Sequence, residues 1–140
     1  MINTPGEWLA GLRVQPRVVL QEEGRESTHF TWEPYSGHVL RCDMGVCVGL
    51  ALSVRSIAPG HLRRVALLLA ASEATLNSAL HYTAARWWLW QRYPSDALAT
   101  AEGAEEALAQ LQTQVAYIEQ QCTVNGGLQS ATGKTVLRLA

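Results

Sequence analysis

The chain has 140 residues, of which 48% are hydrophobic and 16% charged, with a formal net charge of −1. That length suits one domain with a sizeable core, and the near-neutral charge provides no field for nucleic acid or an anionic membrane. No segment approaches the ~20 uninterrupted apolar residues of a membrane span, and the first residues lack a signal-peptide layout. We therefore expect a cytoplasmic protein without membrane insertion, whose three cysteines remain thiols.

Short extended segments dominate the first half of the chain. The first dozen residues, ending in "GEWLAGLRV", predict a short helix, and residues 17–22 and 29–33 predict short strands. Residues 34–37 have the composition of a turn. Two strands then follow within residues 38–54, broken near 43–45. Both faces of the second strand are apolar or small, which predicts a central position in the sheet.

A helix is predicted from Pro59 to about Leu76, because proline suits the first turn and apolar residues recur at helical spacing. Leu67 and Leu68 lie off the main apolar stripe. The helix is therefore expected to be buried on two sides, either within the domain or across an oligomer interface.

A tryptophan-rich hairpin is predicted next, with strands at residues 81–83 and 86–93 joined by Ala84-Ala85, which is weak turn chemistry. Trp88 and Trp90 share one strand parity, and Trp87 has the other. One set is expected to face the core. The other set could be scattered surface aromatics or a partner contact, because tryptophan is a preferred interface anchor.

The last helix is the clearest element. Its apolar stripe consists of Ala104, Ala107, Leu108, Leu111, Val115, Ile118 and Cys122. Acidic residues in the first turns suit the helix dipole, and residues 125–127, Asn-Gly-Gly, are expected to end the helix. We predict one domain over residues 1–124 and a flexible tail over 125–140.

Grouped as helix, three strands, helix, two-stranded hairpin and helix, these elements resemble the small dimeric chaperones of bacterial type III secretion. These are the Tir-chaperone-like, class I family. The resemblance covers about residues 5–122 and lies in "VLRCDMGVCVGLAL", "HLRRVALLLAASEATLN" and "ALHYTAARWWLWQRYP". It implies an α+β fold with a mainly antiparallel, five-stranded sheet and three helices, in the order α-β-β-β-α-β-β-α. The chain differs from the family in its near-neutral charge and in Ala84-Ala85, where polar and glycine residues usually turn the hairpin.

The resemblance implies a cytosolic homodimer that binds the N-terminal segment of a secreted effector in extended form and keeps it soluble and export-competent. Such a protein is not an enzyme and needs no cofactor. Binding would combine strand addition at sheet edges with apolar anchoring. The expected effector-binding residues are Trp87, Trp88, Trp90, Val48 and Leu50, and the expected dimer-interface residues are Leu67, Leu68 and Arg64.

Motifs for chemistry are weak. Cys42 and Cys47 have a possible metal spacing, but positions five apart on an extended backbone point to opposite faces, so we expect no metal site. The glycines in "GLQSATGKT" are too far apart for a phosphate-binding loop. No catalytic motif is recognisable. The alternatives are a small-molecule-binding or enzymatic α+β domain with a Trp-lined pocket, or a structural subunit of a secretion complex.

Overall fold

An antiparallel sheet of six strands organises the described part of the chain. The structure is a computed structural model that describes residues 8–54, 56–71 and 77–132. Its elements are α1 (Ala10–Arg13), β1 (Val18–Gln21), β2 (Ser27–Trp32), β3 (Tyr35–Cys42), β4 (Gly45–Ala51), α2 (Pro59–Ala71), β5 (Ser78–Thr83), β6 (Arg86–Tyr93) and α3 (Ala101–Thr132).

The expected α+β class, with an antiparallel sheet and three helices, is confirmed for the described residues, but the expected five strands are wrong. Four strands, not three, precede the middle helix. The segment predicted as a strand at residues 17–22 is β1, which pairs with β2 along its whole length, from Val18–Trp32 to Gln21–His29. Each extended segment of the sequence therefore forms a strand of its own.

The strands follow the order β1-β2-β3-β4-β6-β5, so β4 lies inside the sheet, as its apolar faces predict. Tight turns connect β2 to β3 at Glu33-Pro34 and β3 to β4 at Asp43-Met44. The first of these turns lies earlier than the predicted turn at 34–37, and residues 35–37 belong to β3 instead. This placement decides which residues of β2 and β3 face each other.

The β5–β6 hairpin forms despite its weak turn residues. Thr83 pairs with Arg86, and the two connecting residues, Ala84 and Ala85, have φ angles of 54° and 62°. These angles are those of a two-residue turn of type I′, which matches the twist of a hairpin and is usually made by Asn-Gly. Alanine is strained in this region because its Cβ crowds the backbone.

The helices pack on one face of the sheet. This core face carries alternate residues of the central strands, including Val46, Val48 and Leu50 of β4 and Leu89 of β6, all 0% exposed. The Tyr93 hydroxyl donates a hydrogen bond of 3.2 Å to the Ala107 carbonyl, which fixes α3 against β6. Burial on this scale, at roughly 25 cal/mol per Å² of apolar surface, is the main source of stability.

The predicted stripe of α3 is confirmed as far as Ile118: Ala104, Ala107, Leu108, Leu111, Val115 and Ile118 are at most 2% exposed. The helix continues to Thr132, past the end predicted at 125–127. Glycine in a helix costs about 1 kcal/mol relative to alanine, which weakens a helix without forbidding it. Helix α2 is described from Pro59 to Ala71, and the remainder of its predicted span lies outside the described residues. None of the helices among the described residues has the length and apolar character that crossing a membrane requires.

Candidate protein-interaction face

The strand pairing shows which face of the sheet each tryptophan of β6 occupies. Leu89 pairs with Leu50 and lies in the core, and Trp87, two positions away, faces the same side. The Trp87 side chain is half-buried against the core, with its ring centroid 5.2 Å from that of Tyr82. Trp88 and Trp90 therefore lie on the opposite face of the sheet, which we call the outer face.

Four aromatic rings form a connected group on the outer face. His29 and His38 stack with ring centroids 4.0 Å apart, and the centroid of His38 is 5.5 Å from that of Trp90. Trp90 in turn lies 6.2 Å from Trp88, with an angle of 27° between the ring planes. We call His29, His38, Trp88 and Trp90 the outer aromatic cluster. It extends across β2, β3 and β6.

Strand β4 lies between β3 and β6 and contributes a glycine to the outer face at this point. Gly49 pairs with His38 on one side and Trp90 on the other. A Cβ on Gly49 would lie 2.7 Å from Cδ2 of Trp90, closer than ordinary van der Waals contact. The missing side chain therefore lets the indole lie flat over β4 and approach the imidazole of His38.

The outer face is solvent-accessible and rich in apolar surface. Trp90 and His38 are half-buried, and Val19 and Leu40 expose 56% and 37% of their surface. Trp88 is the most covered member of the cluster, at 9% exposure. Exposed apolar residues and half-buried aromatic rings on the same sheet face make this face the candidate contact surface.

The environment of His38 disfavours its charged form. Burial lowers the pKa of His38, and repulsion from His29 lowers it further by a smaller amount. His38 is therefore mainly neutral at pH 7. The Ser27 hydroxyl and Nε2 of His38 lie 2.8 Å apart and share a hydrogen bond. Nearby, the Arg86 guanidinium lies 5.9 Å from the centroid of the Trp88 ring, in a cation–π arrangement.

The two edges of the sheet offer a second way for a partner to bind. β1 and β5 are the edge strands of the described sheet. An edge strand presents backbone N–H and C=O groups that another extended chain can pair with. Tyr82 on β5 is 51% exposed and Val19 on β1 is 56% exposed, so both edges also offer apolar side chains.

The residues expected at a dimer interface lie together on α2. Arg64, Leu67 and Leu68 are three and four positions apart, which places them on one side of the helix. All three are exposed, Leu67 by 63% and Leu68 by 39%. The adjacent side of α2 is buried through Val65 and Leu69, and Leu68 borders Cys122 of α3.

Two of the expected effector-binding residues lie in the core and not on the outer face. Val48 and Leu50 are 0% exposed and belong to the hydrophobic core under the helices. Their strand parity is that of Leu89 and not that of Trp90. We therefore remove them, together with the core-facing Trp87, from the surface offered to a partner.

Cys42 and Cys47 face the same side of the sheet, and not opposite sides as their spacing on an extended backbone predicts. Cys42 and Cys47 lie on opposite sides of the turn at Asp43-Met44, so the chain reverses between them. Both side chains face outward, and their sulfur atoms are 3.9 Å apart. Among the described residues no group of three or more His, Cys, Asp or Glu side chains is placed to hold a metal ion.

A cleft of about 590 Å³ lies beside α3 and the segment that follows β6. It is lined by Tyr93, Pro94, Ala97, Gly103, Glu106, Ala107, Ala109, Gln110 and Thr113. No tryptophan is among these residues, so this cleft is not the Trp-lined pocket that a small-molecule-binding domain was expected to have.

Comparison with known proteins finds a similarity of fold and no match by sequence. No protein-family model and no curated protein sequence matches the chain. Among solved structures, a chain of the HopA1–SchA chaperone–effector complex matches it with a TM-score of 0.56 and 11% sequence identity. The match covers 83% of this chain and 90% of that one, so the two chains are similar in length. The two share a fold.

Sequence reasoning missed His29, His38 and Gly49 as members of this face. The available signal was the turn between β2 and β3. With the turn at Glu33-Pro34, His29 and His38 are equally far from it and become cross-strand partners.

Proposed function

We propose that this chain is a cytosolic type III secretion chaperone that binds the N-terminal segment of a secreted effector in extended form. In this role it keeps the segment soluble and competent for export. The proposal involves no catalysis and no cofactor. The observation that carries it is the outer face, where Trp90 and His38 form a half-exposed aromatic surface on the six-stranded sheet. The fold shared with a chain of a chaperone–effector complex supports it.

The physical task explains the surface. A segment destined for a narrow channel must stay unfolded, yet its apolar side chains must be shielded from water. Half-exposed tryptophan supplies a large apolar contact area with little loss of side-chain freedom. The edge strands β1 and β5 could bind the backbone of the same segment through additional strand pairing.

The proposal includes a homodimer formed through Arg64, Leu67 and Leu68 of α2. Leu67 and Leu68 expose 63% and 39% of their surface on one side of α2, and self-association would bury this apolar area. Two copies would also double the sheet surface that one extended segment could contact.

Effector binding is tested by affinity capture of the tagged protein from its own cells, with bound proteins identified by mass spectrometry. We expect a secreted protein that is retained through its N-terminal region. Trp90→Ala should reduce its recovery, whereas Tyr117→Ala should not, because Tyr117 is a comparably exposed aromatic residue (46%) on α3. Both variants must first show the circular dichroism spectrum of the parent. Recovery of no secreted protein would refute the proposal, and recovery of one folded machinery component would favour a structural subunit.

The dimer is tested separately by light scattering after size-exclusion chromatography. The parent is expected at twice the chain mass of 15.3 kDa. Leu67→Glu with Leu68→Glu should give the monomer, because a carboxylate is costly in an apolar interface. Ala66→Glu, at an exposed position on another side of α2, is the matched control and should remain dimeric. A monomeric parent contradicts this part of the proposal only.

A further inference from the structure

The turn between β3 and β4 brings two thiols together on the outer face. Cys42 is exposed and Cys47 is half-buried, and their Sγ atoms are 3.9 Å apart. The Cys42 thiol also donates a hydrogen bond of 3.1 Å to the Gly45 carbonyl, which holds it at the end of the hairpin. The third cysteine, Cys122, lies on α3 and is half-buried against the core.

We propose that Cys42 and Cys47 form a modification site at which peroxide oxidises the two thiols to a reversible intramolecular disulfide. A disulfide has an S–S length of about 2.05 Å, so the sulfur atoms must approach by about 1.9 Å from their present separation. Rotation of the two side chains, with adjustment at the hairpin end, provides this movement. The proposal does not depend on effector binding.

The reaction balances with hydrogen peroxide as oxidant. The Cys42 thiolate attacks one peroxide oxygen, the O–O bond breaks, and hydroxide leaves, so that Cys42 becomes a sulfenic acid. The sulfur of Cys47 then attacks the Cys42 sulfur, the S–O bond breaks, and a second hydroxide leaves. Each hydroxide takes up one of the thiol protons. In total, two thiols and one peroxide give one disulfide and two water molecules.

The surroundings assign the order of the two steps. Cys42 is the exposed thiol and meets a dissolved oxidant first. Burial and contact with Cys42 raise the pKa of Cys47, and the nearby Arg92 guanidinium partly opposes this rise. Cys47 therefore remains a thiol until its neighbour has been oxidised, and then it lies within reach as the resolving group.

Exposure also makes the bond reversible. Exposed disulfides are reduced more easily than structural ones buried in secreted proteins, and they are the labile or regulatory kind. The site lies beside Arg92, which pairs with Cys47, and two positions from Gly49 under Trp90. Oxidation would therefore stiffen the end of the β3–β4 hairpin next to the outer aromatic cluster.

The test treats the purified full-length chain with hydrogen peroxide and measures its intact mass without reductant. The parent should lose the mass of two hydrogen atoms and regain it with dithiothreitol, and peptide mapping should link Cys42 to Cys47. Cys122→Ser should behave as the parent. Cys47→Ser should stop at a sulfenic acid on Cys42, which dimedone traps, and Cys42→Ser should form no internal disulfide.

Other products would overturn the proposal. Addition of two or three oxygen atoms to Cys42 in the parent would show that Cys47 cannot resolve the sulfenic acid. A disulfide between two chains, or one that involves Cys122, would show that the pair does not close in solution. Tryptophan fluorescence of each variant before oxidation establishes that it is folded, and two single variants guard against the failure of one.

Discussion

Replacing Gly49 with alanine should disturb the outer face through Trp90 and leave the core untouched. The added Cβ would lie 2.7 Å from Cδ2 and 2.9 Å from Cε2 and Cε3 of the indole. Ordinary contact begins near 3.4 Å, so the ring has to withdraw by about 0.7 Å. The ring cannot do this without changing its contact with His38, whose centroid is now 5.5 Å away.

Two opposing terms set the size of the effect. Overpacking costs typically 1–3 kcal/mol, roughly 2 here because the whole indole must move. Removing the glycine from a strand returns about 0.5–1 kcal/mol, because the unfolded chain has less freedom to lose. The backbone at Gly49 is not left-handed, so alanine adds no strain of that kind. We therefore expect Gly49→Ala to destabilise the protein by about 1 kcal/mol.

A double-mutant cycle isolates the contact. In a Trp90→Ala background the overpacking term disappears, and Gly49→Ala should stabilise the protein by about 0.5–1 kcal/mol, which gives a coupling energy near 2 kcal/mol. Urea denaturation at fixed protein concentration measures this. With a slope of about 2 kcal/mol per M, the midpoint should fall by about 0.5 M in the parent and rise by about 0.3 M in the second background. Equal shifts in both backgrounds would falsify the packing of Trp90 over Gly49.

Three further predictions concern stability. Replacing Ala84-Ala85 with Asn-Gly should stabilise the protein by about 1–2 kcal/mol, because both positions have positive φ; an unchanged urea midpoint would contradict the type I′ turn. The lowered pKa of His38 means that the unfolded state takes up its proton first as the pH falls below about 6.5, so stability should decline from there towards pH 5. His38→Gln should flatten that decline in a series of thermal melts, and an unchanged pH profile would dismiss this assignment. Gly11→Ala should destabilise the protein by about 3 kcal/mol or more, because the Cβ would meet the rigid backbone of Thr100; a variant with the parent's midpoint would refute this close approach.

The local sequence pattern was sufficient to predict burial where each side of an element has a single kind of surroundings, either core or solvent. The period of α3 identified its buried stripe because a helix packed on a sheet buries one side only. Apolar or small residues on both faces of β4 indicated an interior strand, and Trp88 and Trp90 were known to share a face because strand parity is a property of the backbone. The proposed chaperone class also began from the order of elements in the sequence.

The register of the strands depended on turn positions that the sequence placed only approximately. The predicted turn at 34–37 would not have paired His29 with His38, and the observed turn at Glu33-Pro34 does. In the same way, Cys42 and Cys47 meet only because the chain reverses between them. A shift of one residue in a turn moves every later cross-strand pair, so small errors in local prediction become large errors in contact.

The sequence by itself therefore determined the type of each main element and the buried stripe of α3. It also determined that Trp88 and Trp90 lie on the same face of their strand. Only the tertiary structure decided that all six strands join one sheet, that Val48 and Leu50 lie in the core, and that the outer face carries Trp90 against His38. The physical reason is the range of the interactions. Backbone periodicity acts over neighbouring residues, whereas the choice of buried face and strand partner depends on the free energy of the whole packed chain.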